Sequence, residues 1–257
     1  AMEASSHGID QRRLDGVRLT ASGFLNLTQD HLDYHGTMES YRGAKLRLFE
    51  QLMPRGATAV LNADSEAFPF FAAASVVSGQ RVMSVGESGQ ALRLIDRALL
   101  PDGQRLSIRA DGRIFDVRLP LVGAYQASNA LVAAGLCRAA GLSFEDTFAA
   151  LEKIDGAPGR LQRIGQGPRG GEAYVDYAHT PDGLETVLEA LRPHVRGRLI
   201  VVFGAGGDRD RTKRPLMGRF AATLADVAIV TDDNPRSEVP AAIRAEIMAG
   251  NSGLKEI

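Results

Sequence analysis

Short apolar runs alternate with amphipathic stretches along most of this 257-residue chain, and no other feature limits its fold as much. Runs near residues 20–27, 57–61, 81–85, 92–99, 104–109 and 113–119 carry strand patterns, and residues 37–52, 65–78, 124–140 and 143–152 carry helical ones. Asp155-Gly156-Ala157-Pro158-Gly159-Arg160 then interrupts the pattern with hinge chemistry. A second series follows, with strands near 172–177, 198–203 and 226–231 and helices at 181–192, 213–224 and 239–249. Such alternation implies an α/β fold in which helices cover both faces of a mostly parallel sheet. The length suffices for two cores, so two domains are expected, at residues 1–157 and 158–257.

Composition excludes several classes. With 44% hydrophobic and 24% charged residues the chain reads as a soluble globular protein. A net charge of -1 supplies no global field toward nucleic acid or membrane, and no apolar run is long enough to span a bilayer. The single cysteine, Cys137, rules out a disulfide framework within the chain. A cytoplasmic monomer that binds small molecules, with no nucleic-acid partner and no membrane insertion, is the expectation. Residues 1–7 read as a strand running into polar groups, and residues 254–257 as the beginning of another. The chain is therefore expected to be a fragment of a longer enzyme.

The polar residues with chemical potential cluster at strand ends, where open α/β sheets bind ligands. Phe24-Leu25-Asn26-Leu27 is followed by Thr28-Gln29-Asp30-His31-Leu32-Asp33-Tyr34-His35-Gly36, which offers two carboxylates and two imidazoles. Thr37 is a suitable N-cap for the next helix, which Pro54 and Gly56 stop. Lys45 falls on the apolar face of that helix, four residues from both Tyr41 and Phe49. Periodicity leaves two readings open: a snorkelling lysine with a solvated tip, or a buried amine of altered chemistry. The second series carries three clusters. Asp176-Tyr177-Ala178-His179-Thr180-Pro181 ends one strand, with His179 readable as a turn residue and Thr180 or Asp182 as a cap. Gly204-Ala205-Gly206-Gly207-Asp208-Arg209-Asp210 follows the next. It is not a faithful dinucleotide loop, and its acidic residues would repel a pyrophosphate. Arg209, Lys213 and Arg214 are instead placed to grip carboxylates or phosphates. Asp233-Asn234-Pro235-Arg236 ends the third strand, where an acid and a base could hold both ends of a zwitterion.

Taken in order, the motifs resemble the Mur ligases of peptidoglycan synthesis, and most closely the branch that adds diaminopimelate. The resemblance is carried by Glu3-Ala4-Ser5-Ser6-His7-Gly8 with Gln11 and Arg13, by residues 30–36 with Ala44-Lys45, and by Tyr125-Gln126-Ala127-Ser128-Asn129-Ala130. Pro158-Gly159-Arg160 and the three clusters of the second series, with Lys213-Arg214-Pro215-Leu216-Met217, complete it. It implies a central ATP-binding domain at 1–157 and a Rossmann-like amino-acid-binding domain at 158–257, both truncated. It also implies ATP-dependent amide formation through an acyl phosphate, with Mg²⁺ as cofactor. Lys45, His31 and His179 would be catalytic, and Glu3, His31 and a carbamylated Lys45 would support the metal. Ser5, Gln11 and Arg13 match residues that hold the UDP-MurNAc-dipeptide, and Asn129, Arg160 and Asp176 match residues around adenine and ribose. Arg209, Asp233, Asn234, Pro235 and Arg236 match the meso-diaminopimelate pocket, where Arg236 would pair with the distal carboxylate that lysine lacks. The family's phosphate loop is missing, since no Gly-Lys-Ser or Gly-Lys-Thr occurs in the chain, so the fragment is expected to be inactive alone. The alternatives are a sister ligase, such as a folylpolyglutamate synthetase or another Mur step, and a non-catalytic nucleotide-binding module.

Overall fold

The computed structural model describes residues 1–28, 31–100 and 102–256. Two compact units emerge. The first comprises residues 1–98, 104–119 and 125–154, and the second residues 99–103, 120–124 and 155–257.

The first unit is built on a six-stranded sheet in the order β1 (Ala21–Phe24), β2 (Thr58–Asn62), β3 (Arg81–Gly86), β4 (Leu92–Leu100), β5 (Gly103–Ala110) and β6 (Arg113–Leu119). β1 to β4 pair in parallel, and β5 and β6 form an antiparallel hairpin. β2 is buried at every position, as expected of a strand covered on both faces. Its alternation shows the two coverings. Ala59 and Leu61 face a cluster with Phe24, Leu48, Phe49 and Phe71, which brings in the helices α3 (Met38–Arg47) and α4 (Phe68–Val77). Val60 faces the opposite way, toward α5 (Ala124–Ala139). A Cβ added at Gly135 of α5 would lie 2.5 Å from Val60 Cγ1, so the missing side chain lets that helix lie close to the strand. α6 (Phe144–Leu151), capped by Ser143, packs Phe148 against Phe115 of β6 at 4.9 Å between ring centroids.

Several local expectations are corrected. Residues 1–5 form no strand; Ser5 accepts a hydrogen bond from the Gly8 amide and opens a short helix, α1 (Ser6–Asp10). β1 stops at Phe24, and Leu25 beyond it is 37% exposed. A four-residue helix, α2 (Leu32–His35), precedes α3. The helix read at 37–52 starts where Thr37 accepts from the Ser40 amide, but from Leu48 to Leu52 it widens into a π-helical turn. The buried Gln80 donates to the Phe49 carbonyl at 2.5 Å and the Met53 carbonyl at 3.4 Å, so it satisfies acceptors at the end of that turn.

In the second unit a parallel sheet runs β11 (Lys255–Glu256), β10 (Val227–Val230), β9 (Ile200–Phe203). Leu184 and Leu188 of α7 (Pro181–Leu191), Met217 and Ala221 of α8 (Lys213–Leu224), and Ile243 and Ile247 of α9 (Pro240–Met248) form its core with Phe203 and Val230. The strand read at 172–177 does not join this sheet. As β8 (Glu172–Val175) it pairs antiparallel with β7 (Gln162–Gln166), a strand too polar to announce itself.

Candidate functional site

In the first unit, three short elements bring a group of rings together. Ser5 caps α1 and so fixes His7 in its first turn. His31 precedes α2 in the left-handed conformation, with φ 54°, and Gly36 at φ 75° turns the chain into α3. The result sets His7 against His31 at 4.8 Å, against Tyr34 at 4.1 Å and against His35 at 5.5 Å between ring centroids. Tyr41 of α3 backs the group, 5.9 Å from His31 and 5.3 Å from His35. The Lys45 Nζ sits 5.1 Å from the centroid of the Tyr41 ring, a cation–π distance. Lys45 is half-buried, so it is neither a fully solvated tip nor a sealed-off amine.

Hydrogen bonds fix the periphery. Tyr34 Oη donates to Asp10 Oδ2 at 2.9 Å and accepts from Gln11 Nε2 at 3.4 Å. His35 Nε2 bonds Ser6 Oγ at 3.0 Å. Burial, and then the neighbouring His7, hold the His35 imidazole below its usual pKa; Asp10 opposes the shift, and His31 and Lys45 add to it. Of the residues named from sequence, His31 and Lys45 thus share one ring cluster. Ser5 and Gln11 lie at its edge, while Arg13 and Glu3 are exposed on either side of α1. Asp30 and the side chain of Asp33 lie outside the described residues. His7, Tyr34 and Tyr41 were not named as site residues, although His7 and Tyr34 fall inside the motifs quoted for Glu3 and His31.

Among the described residues no group of three or more His, Cys, Asp or Glu side chains is placed to hold a metal. Glu3 and His31 offer two donors, and Lys45 would add a third only as a carbamate. Mg²⁺ ordinarily keeps several waters and takes further oxygens from substrate phosphates, so it asks few ligands of a protein. Asn129, in α5 of the same unit, is half-buried and donates from Nδ2 to Gln126 Oε1 at 3.1 Å.

In the second unit, two motifs read separately form one piece of structure. The Asp176 carboxylate accepts from the Leu161 amide at 2.7 Å and from the Ala178 amide at 2.8 Å. The Tyr177 amide donates to the Gly159 carbonyl at 2.8 Å. The Arg160 loop is therefore fastened to the end of β8. His179 donates from Nδ1 to the Tyr177 carbonyl at 3.0 Å, and Thr180 caps α7 through the Gly183 amide.

At the ends of β9 and β10 the Gly-rich turn meets residues 233–236. The Gly207 amide donates to the Asn234 carbonyl at 2.9 Å, and Arg236 Nη1 donates to the Gly207 carbonyl at 2.6 Å. Asp208 accepts from Ser237 Oγ at 2.6 Å and from the Ser237 amide at 3.2 Å, and these bonds hold its carboxyl below the usual range. Thr212 does the same for Asp210. Arg209, Asp233, Asn234 and Arg236 are exposed around this junction. Two of the three cations read as ligand-gripping groups have other work. Lys213 Nζ donates to the His179 carbonyl at 2.7 Å. Arg214 is fully buried and grips the protein's own carboxylates, Glu238 and Glu246. Those two glutamates had no visible link to it in sequence.

The comparisons with known proteins agree with this fold. The Mur ligase middle domain profile matches residues 1–137, and the Mur ligase glutamate ligase domain profile matches residues 159–257. The UDP-N-acetylmuramoyl-L-alanyl-D-glutamate--2,6-diaminopimelate ligase of Caulobacter vibrioides is 69% identical over all 257 residues, which is 53% of its length. The ligase of the same name from Mesorhizobium japonicum is 54% identical over the same span. The chain spans about half the length of the curated relatives it matches. A solved ligase of that name is 36% identical, with a TM-score of 0.68 over 99% of this chain and 53% of its own. The folylpolyglutamate synthase of Mycobacterium tuberculosis, complexed with ADP and AMPPCP, shares the fold over 95% of this chain at a TM-score of 0.76 and 22% identity.

Proposed function

The chain belongs to the Mur ligase family, and from that premise we propose that it is part of an ATP-dependent ligase joining meso-diaminopimelate to UDP-MurNAc-L-Ala-D-Glu. The supporting observation is the junction at the ends of β9 and β10. Arg236 spends one guanidinium N–H on the Gly207 carbonyl, and its fork has five such donors, enough to take a carboxylate as well. Asp233 and Arg209 flank it with the charges that an α-amino acid's ammonium and carboxylate require.

In the proposed reaction the γ-carboxylate of D-glutamate attacks the terminal phosphorus of ATP and releases ADP. The amine of diaminopimelate then attacks the acyl phosphate, expels phosphate and leaves an amide. Ser5, Gln11 and Arg13 would hold the nucleotide-linked dipeptide, and Asn129, Arg160 and Asp176 the adenine and ribose. Mg²⁺, when bound by Glu3, His31 and a carbamylated Lys45, would offset phosphate charge. Because His179 Nδ1–H is committed to the Tyr177 carbonyl, its Nε2 is the nitrogen left to exchange a proton. In this reading residues 1–157 would supply the dipeptide- and metal-holding groups and Asn129, and residues 158–257 the amino-acid pocket together with Arg160 and Asp176. No helix among the described residues is long and apolar enough to cross a membrane, and a cytoplasmic site of action suits nucleotide-linked substrates.

The test is Arg236→Ala in the whole protein. The KM for meso-diaminopimelate should rise by at least about tenfold while that for ATP stays within about twofold. Unchanged diaminopimelate kinetics would overturn the reading.

A further inference from the structure

We infer that Arg214 is a positioning residue for the amino-acid pocket: it holds the turn at residues 206–208 and the segment at 235–238 in one register, so that Arg209 and Arg236 address the same ligand. The inference rests on the proposed function for the identity of that ligand, and on the structure alone for the register.

Arg214 occupies the second position of α8, and its side chain has 0% exposure. Its guanidinium meets Glu238 as a two-pronged fork, Nη2 to Oε1 at 2.7 Å and Nη1 to Oε2 at 2.8 Å. Nη1 also donates to Glu246 Oε2 at 2.8 Å, and Nη2 to the Gly206 carbonyl at 3.3 Å. Glu246 is bonded in turn by Arg211, so two arginines balance two glutamates. A buried charge is tolerated only when it is well paired, and four of the five N–H donors are engaged here, with Nε alone of the guanidinium left without a partner among the described residues.

The partners identify the work. Gly206 belongs to the Gly-rich turn and Glu238 to the segment that follows Arg236. Glu238 Oε1 also accepts from the Asp208 amide at 2.7 Å, so this single carboxylate binds Arg214 below and the Gly-rich turn above. Asp208 closes the loop by holding Ser237. The Glu238 amide donates to the Pro235 carbonyl at 3.0 Å, which carries the constraint back toward Arg236. Arg209 and Arg236 thus each adjoin a segment that is tied to one buried guanidinium. A bidentate fork has a fixed geometry, which an ammonium on a flexible stem does not reproduce.

The experiment compares Arg214→Lys and Glu238→Gln in the whole protein, measuring KM for meso-diaminopimelate and for ATP beside the melting temperature. Glu238→Gln leaves Arg214 its Glu246 partner and serves if Arg214→Lys does not fold. Each variant should raise the diaminopimelate KM by about tenfold while the ATP KM stays within about twofold. Arg192→Ala, which removes bonds to Asp226 and the Leu224 carbonyl in the same unit, should leave both constants unchanged. Unchanged diaminopimelate KM in the folded variants, or equal rises in both constants, would overturn the inference. If the unaltered protein instead forms its amide with a different amino acid, the proposed substrate fails. The register argument is then tested by the same split in KM for that amino acid.

Discussion

Replacing Gly207 by alanine should damage the second unit far more than a single methyl group suggests. A Cβ at this position would lie 2.6 Å from the Pro235 carbonyl carbon and 3.3 Å from its Cα, with the carbonyl oxygen nearer still. Ordinary van der Waals contact begins at 3.4 Å, so clearing the carbonyl carbon alone takes a retreat of about 0.8 Å by residues 233–236, and clearing the nearer oxygen takes more. The obstacle is backbone, and no side-chain rotation relieves it. A retreat of that size carries the Gly207–Asn234 and Arg236–Gly207 hydrogen bonds, now 2.9 and 2.6 Å, out of good bonding geometry. Overpacking of this kind costs about 1–3 kcal/mol, and each lost hydrogen bond about 0.5–1.5 kcal/mol. The expected penalty is roughly 2–6 kcal/mol. In a unit of this size it should lower the melting temperature by at least about 8 °C. Calorimetry on the 257-residue chain should show that loss in the transition of the second unit and leave the first in place. In the whole protein, the KM for the amino-acid substrate should rise with little change for ATP. A Gly207→Ala chain that melts within about 2 °C of the unaltered one would refute the steric argument.

Phe71 is fully buried, stacks on Phe24 at 3.7 Å and meets Phe49 edge-on at 5.3 Å. Phe71→Ala should destabilise the first unit by about 3–5 kcal/mol, read from denaturant midpoints. Thr180→Ala removes the cap of α7 and should cost about 1 kcal/mol, whereas Thr180→Ser should cost only a fraction of that. The Arg214 fork lowers the Glu238 carboxyl from its ordinary 4.5 to about 2. Its contribution is therefore present above pH 4.5 and is lost as pH falls toward 2, so circular dichroism should show stability declining across that window. Glu238→Gln should weaken the fold near neutrality yet flatten that decline. Lys45→Met should abolish amide formation by the whole protein while leaving the circular dichroism of the 257-residue chain intact. Retained activity would remove Lys45 from the reaction.

The legible parts of the chain were those written in local chemistry. Thr37 and Thr180 announce helix starts because a hydroxyl three residues ahead of a free amide is a short-range signal. The continuous burial of Thr58, Ala59, Val60, Leu61 and Asn62 matches the unbroken pattern expected of a strand covered on both faces. The acid and base of residues 233–236 do meet the Gly-rich turn, since parallel strands bring their C-terminal ends to one edge. The illegible parts depend on distant partners. α1 spans only five residues, too few to show a helical period. β7 is a polar strand recruited by the turn that leads into β8. Arg214 reads as a cation for a ligand because the carboxylates it grips are the protein's own, 24 and 32 residues further on. The same holds for His7, whose neighbours Tyr34 and His35 arrive only when α2 folds back against α1.

The strand order of the two sheets has a consequence for how the chain is made. The first sheet runs from β1 to β6 in the order in which the strands are translated, and the second adds β9, β10 and β11 likewise. Within the described residues, each of the strands β2, β3, β4, β5, β6, β10 and β11 therefore finds its sheet neighbour already translated. The parallel connections are crossovers between sequence neighbours, as from Ala21 to Thr58 and from Ile200 to Val227, and closing a loop twice as long costs only about 0.6 kcal/mol more. Growth by accretion moves one edge outward and leaves the earlier strands paired, which limits the exposed strand surface through which nascent chains aggregate.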